Sequence, residues 1–273
     1  MSRRFDLRYG RSVVASPVPA VSRGMEAAVL ARRKTMDAAR GGARHVTSFN
    51  EFNQRDEAAA ALARRIGERL RAAVCRRACA SMIVSVAAPR PLFRTLRLLP
   101  VPWYLVTIVP SDEGWVPVDD DDSNEGLIRR DLLAGEPGFA NFVSLYRRNR
   151  AARESLPELH ASLKEVHRPF DAVVLGMGRD GHMASLFPDS PDLRVGLHSD
   201  AECVVQAPPR SRHPRVSLTV RSLLDAREVN LLFFGERKRV VYEDSLRPGP
   251  LEQYPVRALV RQDRVPVNVY WAP

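Results

Sequence analysis

Residues 171–191 read "DAVVLGMGRDGHMASLFPDSP". The apolar run from Ala172 to Leu175 is short, β-branched and closed by glycine, so it predicts a buried strand. Gly176, Gly178 and Gly181 then allow backbone turns and close approaches that a side chain would block. His182 follows at once, and the chain turns polar and stops at Pro188 and Pro191. A glycine bend with a titratable ring at the carboxyl end of a buried strand lies where open α/β sheets bind ligands. The N–H groups near Gly178 and Gly181 are candidate donors to an anion. His182 can be neutral near pH 7 and accept a proton. Asp180 fits two roles equally, orienting the imidazole or capping the turn. Glycine loops after strands are common, and a histidine capping the next turn also fits these residues.

Around this loop the pattern alternates. "NQRDEAAAALARRIGERLRAAVCRRA" (53–78) predicts a helix, with Ala58, Leu62, Ile66, Leu70 and Val74 on one stripe and Asn53 or Asp56 as its cap. Buried strands are predicted at 81–88, 103–110 and 171–176, and later ones at 203–207, 215–220, 229–235 and 265–271. Helices are predicted at 91–99, from Ser123 (N-cap) to Gly135 (past the end), onward to about Lys164, and at 236–246. Nearly continuous apolar strands between helices imply an α/β fold: a mostly parallel sheet covered by helices on both faces, Rossmann-like. No repeat or linker interrupts residues 46–273, which read as one domain.

The net charge of +10 raises nucleic acid as a partner. Residues 1–45 hold ten Lys or Arg against three Asp or Glu, a surplus of seven that leaves three for the rest. The basicity is thus terminal, which argues against a nucleic-acid surface. That segment, rich in Arg, Ala, Gly and Pro, reads as a basic, disordered extension; an Arg-rich targeting peptide or a start at Met25 or Met36 also fits. No apolar run is long enough to cross a membrane, and three scattered cysteines suit a reducing cytoplasm. Cys75 and Cys79 read as small buried helix residues, the acids at 119–122 as a solvated loop, and Trp103 and Trp115 as packing residues.

The segment "LGMGRDGHMASLFPDSP" (175–191) resembles the 6-phosphogluconolactonase family, and the likeness continues in order. "SVAAPRPLFRTL" (85–96) sits where the family has Gly-Gly-Ser-Thr-Pro before a helix. "SDEGWVPVDDDDSN" (111–124) is similar to its Asp-Glu-Arg, Val-Pro and Ser-Asn segment. "APPRSRHPRVSLTVRSLLDAREVNLLFFGERK" (207–238) is similar to its Pro-x-x-Arg-x-Thr-x-Thr segment, helix and strand ending in Gly-x-x-Lys. The resemblance implies the sugar-phosphate isomerase and lactonase fold. It further implies hydrolysis of 6-phosphogluconolactone to 6-phosphogluconate in the pentose phosphate pathway, with no metal or other cofactor. His182 matches the family's catalytic base. Arg210 and Arg215 stand where the family binds phosphate, though both also read as solvated loop arginines. Asp112 and Asn124 fall in the ligand-contacting segment, and Gly178, Arg179 and Gly181 in the loop. The expected partner is a small phosphorylated sugar lactone; oligomeric state is left open.

Two departures stand out. Val86, Ala87 and Ala88 replace the glycine pair, and Gly114 replaces the arginine of Asp-Glu-Arg, while Arg179 occupies a position that is usually proline. These losses keep a second reading open, a sugar-phosphate-binding paralogue without turnover. A third, a glucosamine-6-phosphate deaminase-like enzyme, shares the Gly-Asp-Gly-His loop but is disfavoured by Ser185-Leu186-Phe187-Pro188.

Overall fold

A computed structural model describes residues 47–87 and 90–273. The readings made for residues 1–45 lie outside the described residues. Seven parallel strands form the main sheet: β1 (Thr47–Glu51), β2 (Ala80–Val84), β3 (Val106–Pro110), β5 (Asn141–Phe142), β6 (Ala172–Leu175), β9 (Val229–Phe234) and β10 (Val267–Ala272). Their spatial order is β1-β10-β9-β6-β2-β3-β5. The chain lays β2, β3 and β5 in one direction, returns to place β6 on the other side of β2, and continues outward through β9 and β10. The switch point is therefore the crevice between the carboxyl ends of β2 and β6, the position where such sheets bind ligands. A separate antiparallel sheet pairs β4 (Asp112–Gly114), β8 (Arg215–Leu218) and β7 (Cys203–Gln206) in the order β4-β8-β7.

Side chains alternate across the main sheet as the two-residue repeat demands. Ile83, Val173, Leu175, Leu231 and Val269 enter one core, and Met82, Val84, Val174, Leu232 and Tyr270 the other. Helix α1 (Arg55–Arg77) covers the second core with Ala58, Leu62, Ile66 and Leu70, all fully buried. Each such leucine or isoleucine contributes about 1.5–3 kcal/mol by leaving water. The remaining helices are α2 (Arg90–Leu96), α3 (Asn124–Asp131), α4 (Ala152–Lys164), α5 (Leu193–His198), α6 (Val220–Leu224), α7 (Glu236–Ser245) and α8 (Arg257–Val260).

Several expectations need correction. Neither Asn53 nor Asp56 caps α1: Gln54 holds that position without a side-chain bond, and Asp56 instead sits in the first turn, where its charge suits the helix dipole. Ser123 does cap α3, its Oγ accepting from the Gly126 N–H at 3.0 Å. Trp103–Leu105 is a 3-10 turn rather than the start of a strand. The stretch before α4 is not continuous helix but a 3-10 turn, the edge strand β5 and a loop. The strand at 215–218 pairs with β4 and the strand at 203–206 pairs with it in turn, so neither joins the parallel sheet. Cys75 is exposed rather than buried, while Cys203 is buried.

Candidate active site

Beyond β6 the glycine loop folds on itself. The Gly178 N–H donates to the His182 carbonyl at 2.9 Å and the Gly181 N–H to the Gly178 carbonyl at 3.2 Å. Both groups expected to meet an anion are thus spent inside the loop. A Cβ on Gly178 would overlap the His182 ring and come within 2.5 Å of Asp180 Oδ1. Gly181 has a φ of +76°, which a side chain adopts only with strain, and a Cβ there would come within 2.8 Å of the Tyr254 ring. Both glycines are therefore required for the shape that carries the histidine.

Asp180 contacts both the backbone and the ring of His182. Its Oδ1 accepts from the His182 backbone N–H at 3.2 Å and lies 2.6 Å from the ring Nδ1. Burial alone would raise this carboxyl, but the hydrogen bond and charge of His182 outweigh it and hold the group below its usual range. An ionised Asp180 keeps the ring proton on Nδ1 and leaves Nε2 as the basic nitrogen. The His182 side chain is 26% exposed and its ring packs on Phe187 with centroids 4.4 Å apart.

Just past the histidine, Ser185 enters a buried polar cluster built from Ser111, β4 and β8. Asp112 Oδ2 accepts from Ser185 Oγ at 2.6 Å and from Arg215 Nη2 at 2.8 Å, and Oδ1 accepts from Ser111 Oγ at 2.6 Å. Arg215 Nε donates to Ser185 Oγ at 2.5 Å, and Ser217 Oγ accepts the Ser185 N–H at 3.2 Å. Burial pushes the Asp112 carboxyl up, but the Arg215 guanidinium and the two hydroxyls outweigh it, and the acid stays ionised well below its ordinary value. Asn124 Nδ2 donates to the Asp112 carbonyl at 2.8 Å. Glu113, fully buried, accepts from the N–H groups of Gly114, Asn124 and Glu125 at 2.6–2.8 Å, and burial pushes its carboxyl up to about 7. Asp112, Asn124 and Arg215 thus come together as one anchored unit behind the histidine loop. Sequence reasoning did not single out Ser185, Ser217 or Glu113 as members of it.

Arg210 stands apart. Its side chain is 92% exposed and lies 3.6 Å from Asp189. With Arg212, His213, Arg215 and Gly114 it borders a cleft of about 270 Å³.

A larger cleft, about 410 Å³, opens at the carboxyl end of β9, walled by Arg179 from the histidine loop, Gly235, Arg237 and Lys238 from the start of α7, and Ala87. Lys238 is partly buried, and burial lowers its pKa; the nearby Arg179 charge lowers it further while Asp180 pulls it back. Among the described residues, Arg179, Arg237 and Lys238 enter no ion pair or side-chain hydrogen bond. Glu236 also lines the cleft and Asp180 lies near Lys238, but Arg55, Arg179, Arg237 and Lys238 leave an excess of positive charge that suits an anion. Lys238 was missed as a site residue, although the sequence holds a signal: only three of its 42 basic residues are lysines, and this one closes the Gly-x-x-Lys string. Ala87 lies against the glycine loop, its Cβ within 2.6 Å of where a Gly176 methyl would stand. Among the described residues no three His, Cys, Asp or Glu side chains converge as a metal site, and no helix is long and apolar enough to cross a membrane.

The family described as glucosamine-6-phosphate isomerases/6-phosphogluconolactonase matches residues 53–271. A 6-phosphogluconolactonase of Mesorhizobium japonicum is 35% identical over 229 residues, 83% of this chain and 95% of that protein. One of Pseudomonas putida is 37% identical over 218 residues, 79% of this chain and 88% of that protein. The crystal structure of a 6-phosphogluconolactonase from Shewanella baltica superposes with a TM-score of 0.81 at 36% identity, covering 85% of this chain and all of that one. The chain belongs to the glucosamine-6-phosphate isomerase/6-phosphogluconolactonase family.

Proposed function

We propose that this protein is a 6-phosphogluconolactonase, hydrolysing 6-phosphogluconolactone to 6-phosphogluconate through a single domain spanning residues 46–273. The observation that carries the reading is the 2.6 Å contact between Asp180 Oδ1 and His182 Nδ1, beside a cleft in which Arg55, Arg179, Arg237 and Lys238 outnumber Glu236. Nε2 of His182 takes a proton from water as its oxygen attacks the lactone carbonyl carbon. The tetrahedral intermediate collapses by breaking the ring carbon–oxygen bond, and the imidazolium returns the proton to the departing alkoxide. Ionised Asp180 stabilises the transient imidazolium. Lys238 and Arg179 hold the substrate phosphate, a dianion matched to a lysine point charge and a guanidinium fork. Asp112 neutralises Arg215, which favours an anchoring role for that arginine, and Arg210 reaches the substrate only from the rim.

In this reading the reaction belongs to the pentose phosphate pathway, and three free thiols suit a cytoplasmic setting. The intact His–Asp pair favours turnover over a binding-only paralogue. Ser185, committed to Asp112 and Arg215, favours the lactonase over the deaminase. The test is hydrolysis of freshly generated 6-phosphogluconolactone, corrected for its spontaneous opening. Wild type should accelerate it and His182→Asn should lose about 10²–10⁴-fold of that rate. Binding of 6-phosphogluconate without turnover by wild type would overturn the lactonase reading.

A further inference from the structure

Arg257, at the start of α8, is only 4% exposed. Among the described residues it has no acidic partner. Nη1 donates to the Pro250 carbonyl at 2.8 Å and to Gln253 Oε1 at 2.8 Å, and Nη2 to the Asp244 carbonyl at 3.3 Å. Its Nε is buried without any partner. A guanidinium stays charged, and burying it against neutral groups is costly. An apolar side chain would suit stability better, so the charge asks for another account.

That account lies one ring away. The Arg257 guanidinium carbon stands 4.8 Å from the centroid of the Tyr254 ring, and the Arg257 N–H donates to the Tyr254 carbonyl at 2.9 Å. Tyr254 in turn lies on Gly181, whose Cβ, if present, would come within 2.8 Å of the ring. The Val256 N–H donates to the Gly181 carbonyl at 2.9 Å. Both contacts fall on the residue directly before His182, at a position whose backbone is left-handed, with a φ of +76°. The same connecting segment begins at the end of α7, whose first turn carries Lys238.

We propose that Tyr254 and Arg257 are positioning residues for the reaction: the buried guanidinium pins the Tyr254 ring and the Val256 N–H against Gly181 and so sets the place of the His182 imidazole. The proposal rests on His182 being the base, as argued above. Neither residue touches substrate. The Tyr254 hydroxyl enters no hydrogen bond among the described residues, so the ring, not its oxygen, carries the effect.

Steady-state kinetics and NMR titration of the His182 ring, on folded protein checked by thermal melting, test this. Tyr254→Ala should lower kcat about 10²-fold while KM moves less than about threefold, the split expected when a reacting group is misplaced. Arg257→Met should lower kcat about 10-fold in the same sense, and it supplies the test where Tyr254→Ala does not fold. Tyr254→Phe should match wild type. In both impaired variants the titration curve of His182 should shift from that of wild type. Unchanged kcat, a loss shared equally by Tyr254→Phe, or an unshifted His182 titration in folded variants would overturn the proposal. Should wild type itself not hydrolyse the lactone, the lactonase reading fails, and the His182 titration alone decides whether the clamp exists.

Discussion

Gly178→Ala isolates the packing of the histidine loop from its chemistry. Gly178 is not among the residues with positive φ, so the backbone tolerates alanine and the penalty is one of space. The new methyl would stand 2.5 Å from Asp180 Oδ1 and closer still to Nδ1 and Cε1 of His182. Ordinary contact begins near 3.4 Å, so the His–Asp pair must retreat by about 1 Å, the kind of displacement that costs about 10²-fold in rate. The imidazole has little room to yield, because Phe187 packs on its face. A 10²-fold loss corresponds to about 2.7 kcal/mol of transition-state stabilisation. The same overpacking should cost about 1–3 kcal/mol of fold stability, read as a fall in Tm of roughly 2–4 °C per kcal/mol for a chain of this size. Lactone hydrolysis followed at saturating substrate, below the lowered Tm, separates the two effects. The new methyl does not meet the residues that line the larger cleft, so KM should hold while kcat falls. Wild-type kcat in a folded Gly178→Ala protein would refute the placement of the ring over this glycine, and a rise in KM alone would refute the assignment of His182 to the chemical step.

Two further outcomes follow from the same geometry. Lys238→Ala should raise KM for the phosphorylated lactone about 10–100-fold, the worth of a charge-assisted hydrogen bond, and leave hydrolysis of an unphosphorylated lactone unchanged in a side-by-side assay. Asp112→Asn should destabilise the fold by about 3–5 kcal/mol in urea melts, because it strands the Arg215 charge. The folded Asp112 carboxyl sits below its unfolded value, so its stabilisation is complete at neutral pH and is lost as pH falls through the folded value. The wild-type advantage over Asp112→Asn should therefore shrink only in acid, and an advantage that grew with acidity would contradict the ion pair.

The parallel strands were legible because burial on both faces writes a nearly continuous apolar run: Ala172–Leu175 shows it plainly, and Ala80–Val84 and Val229–Phe234 break it only at Ser81 and Asn230. The edge strand Asn141–Phe142 has two residues, one exposed, and leaves no such trace. Assignment of Cys203–Gln206 and Arg215–Leu218 to a second sheet was also hidden, since both strands are nearly as buried as those of the first. The histidine and its aspartate were legible because the loop that joins them is local: a donor–acceptor pair two residues apart needs only the glycines around it. The cluster behind it is not local. Asp112 and Arg215 stand 103 positions apart and Asp112 and Ser185 stand 73 apart, and no periodicity encodes that pairing. Tyr254 was invisible for the same reason, its target glycine lying far back along the chain.

The two departures from the family pattern and the arginine at 179 gain a common reading once the sheet order is known. In a sheet of this order the first place to look for substrate is the crevice between the ends of β2 and β6. Here Ala87 leaves the end of β2 and meets the backbone at Gly176, so the two loops touch where a glycine pair would let them part. Gly114, in place of an arginine, is enclosed as well: a Cβ there would come within 2.8 Å of the Asp122 carbonyl. More room lies one strand over, at the carboxyl end of β9, where Arg179 and Lys238 line the larger cleft. A phosphate seated by those two cations would lie on the Lys238 side of the histidine rather than beside Arg215. Under the proposed lactonase reading, Arg179 would supply on that side of the histidine a positive charge that Gly114 does not.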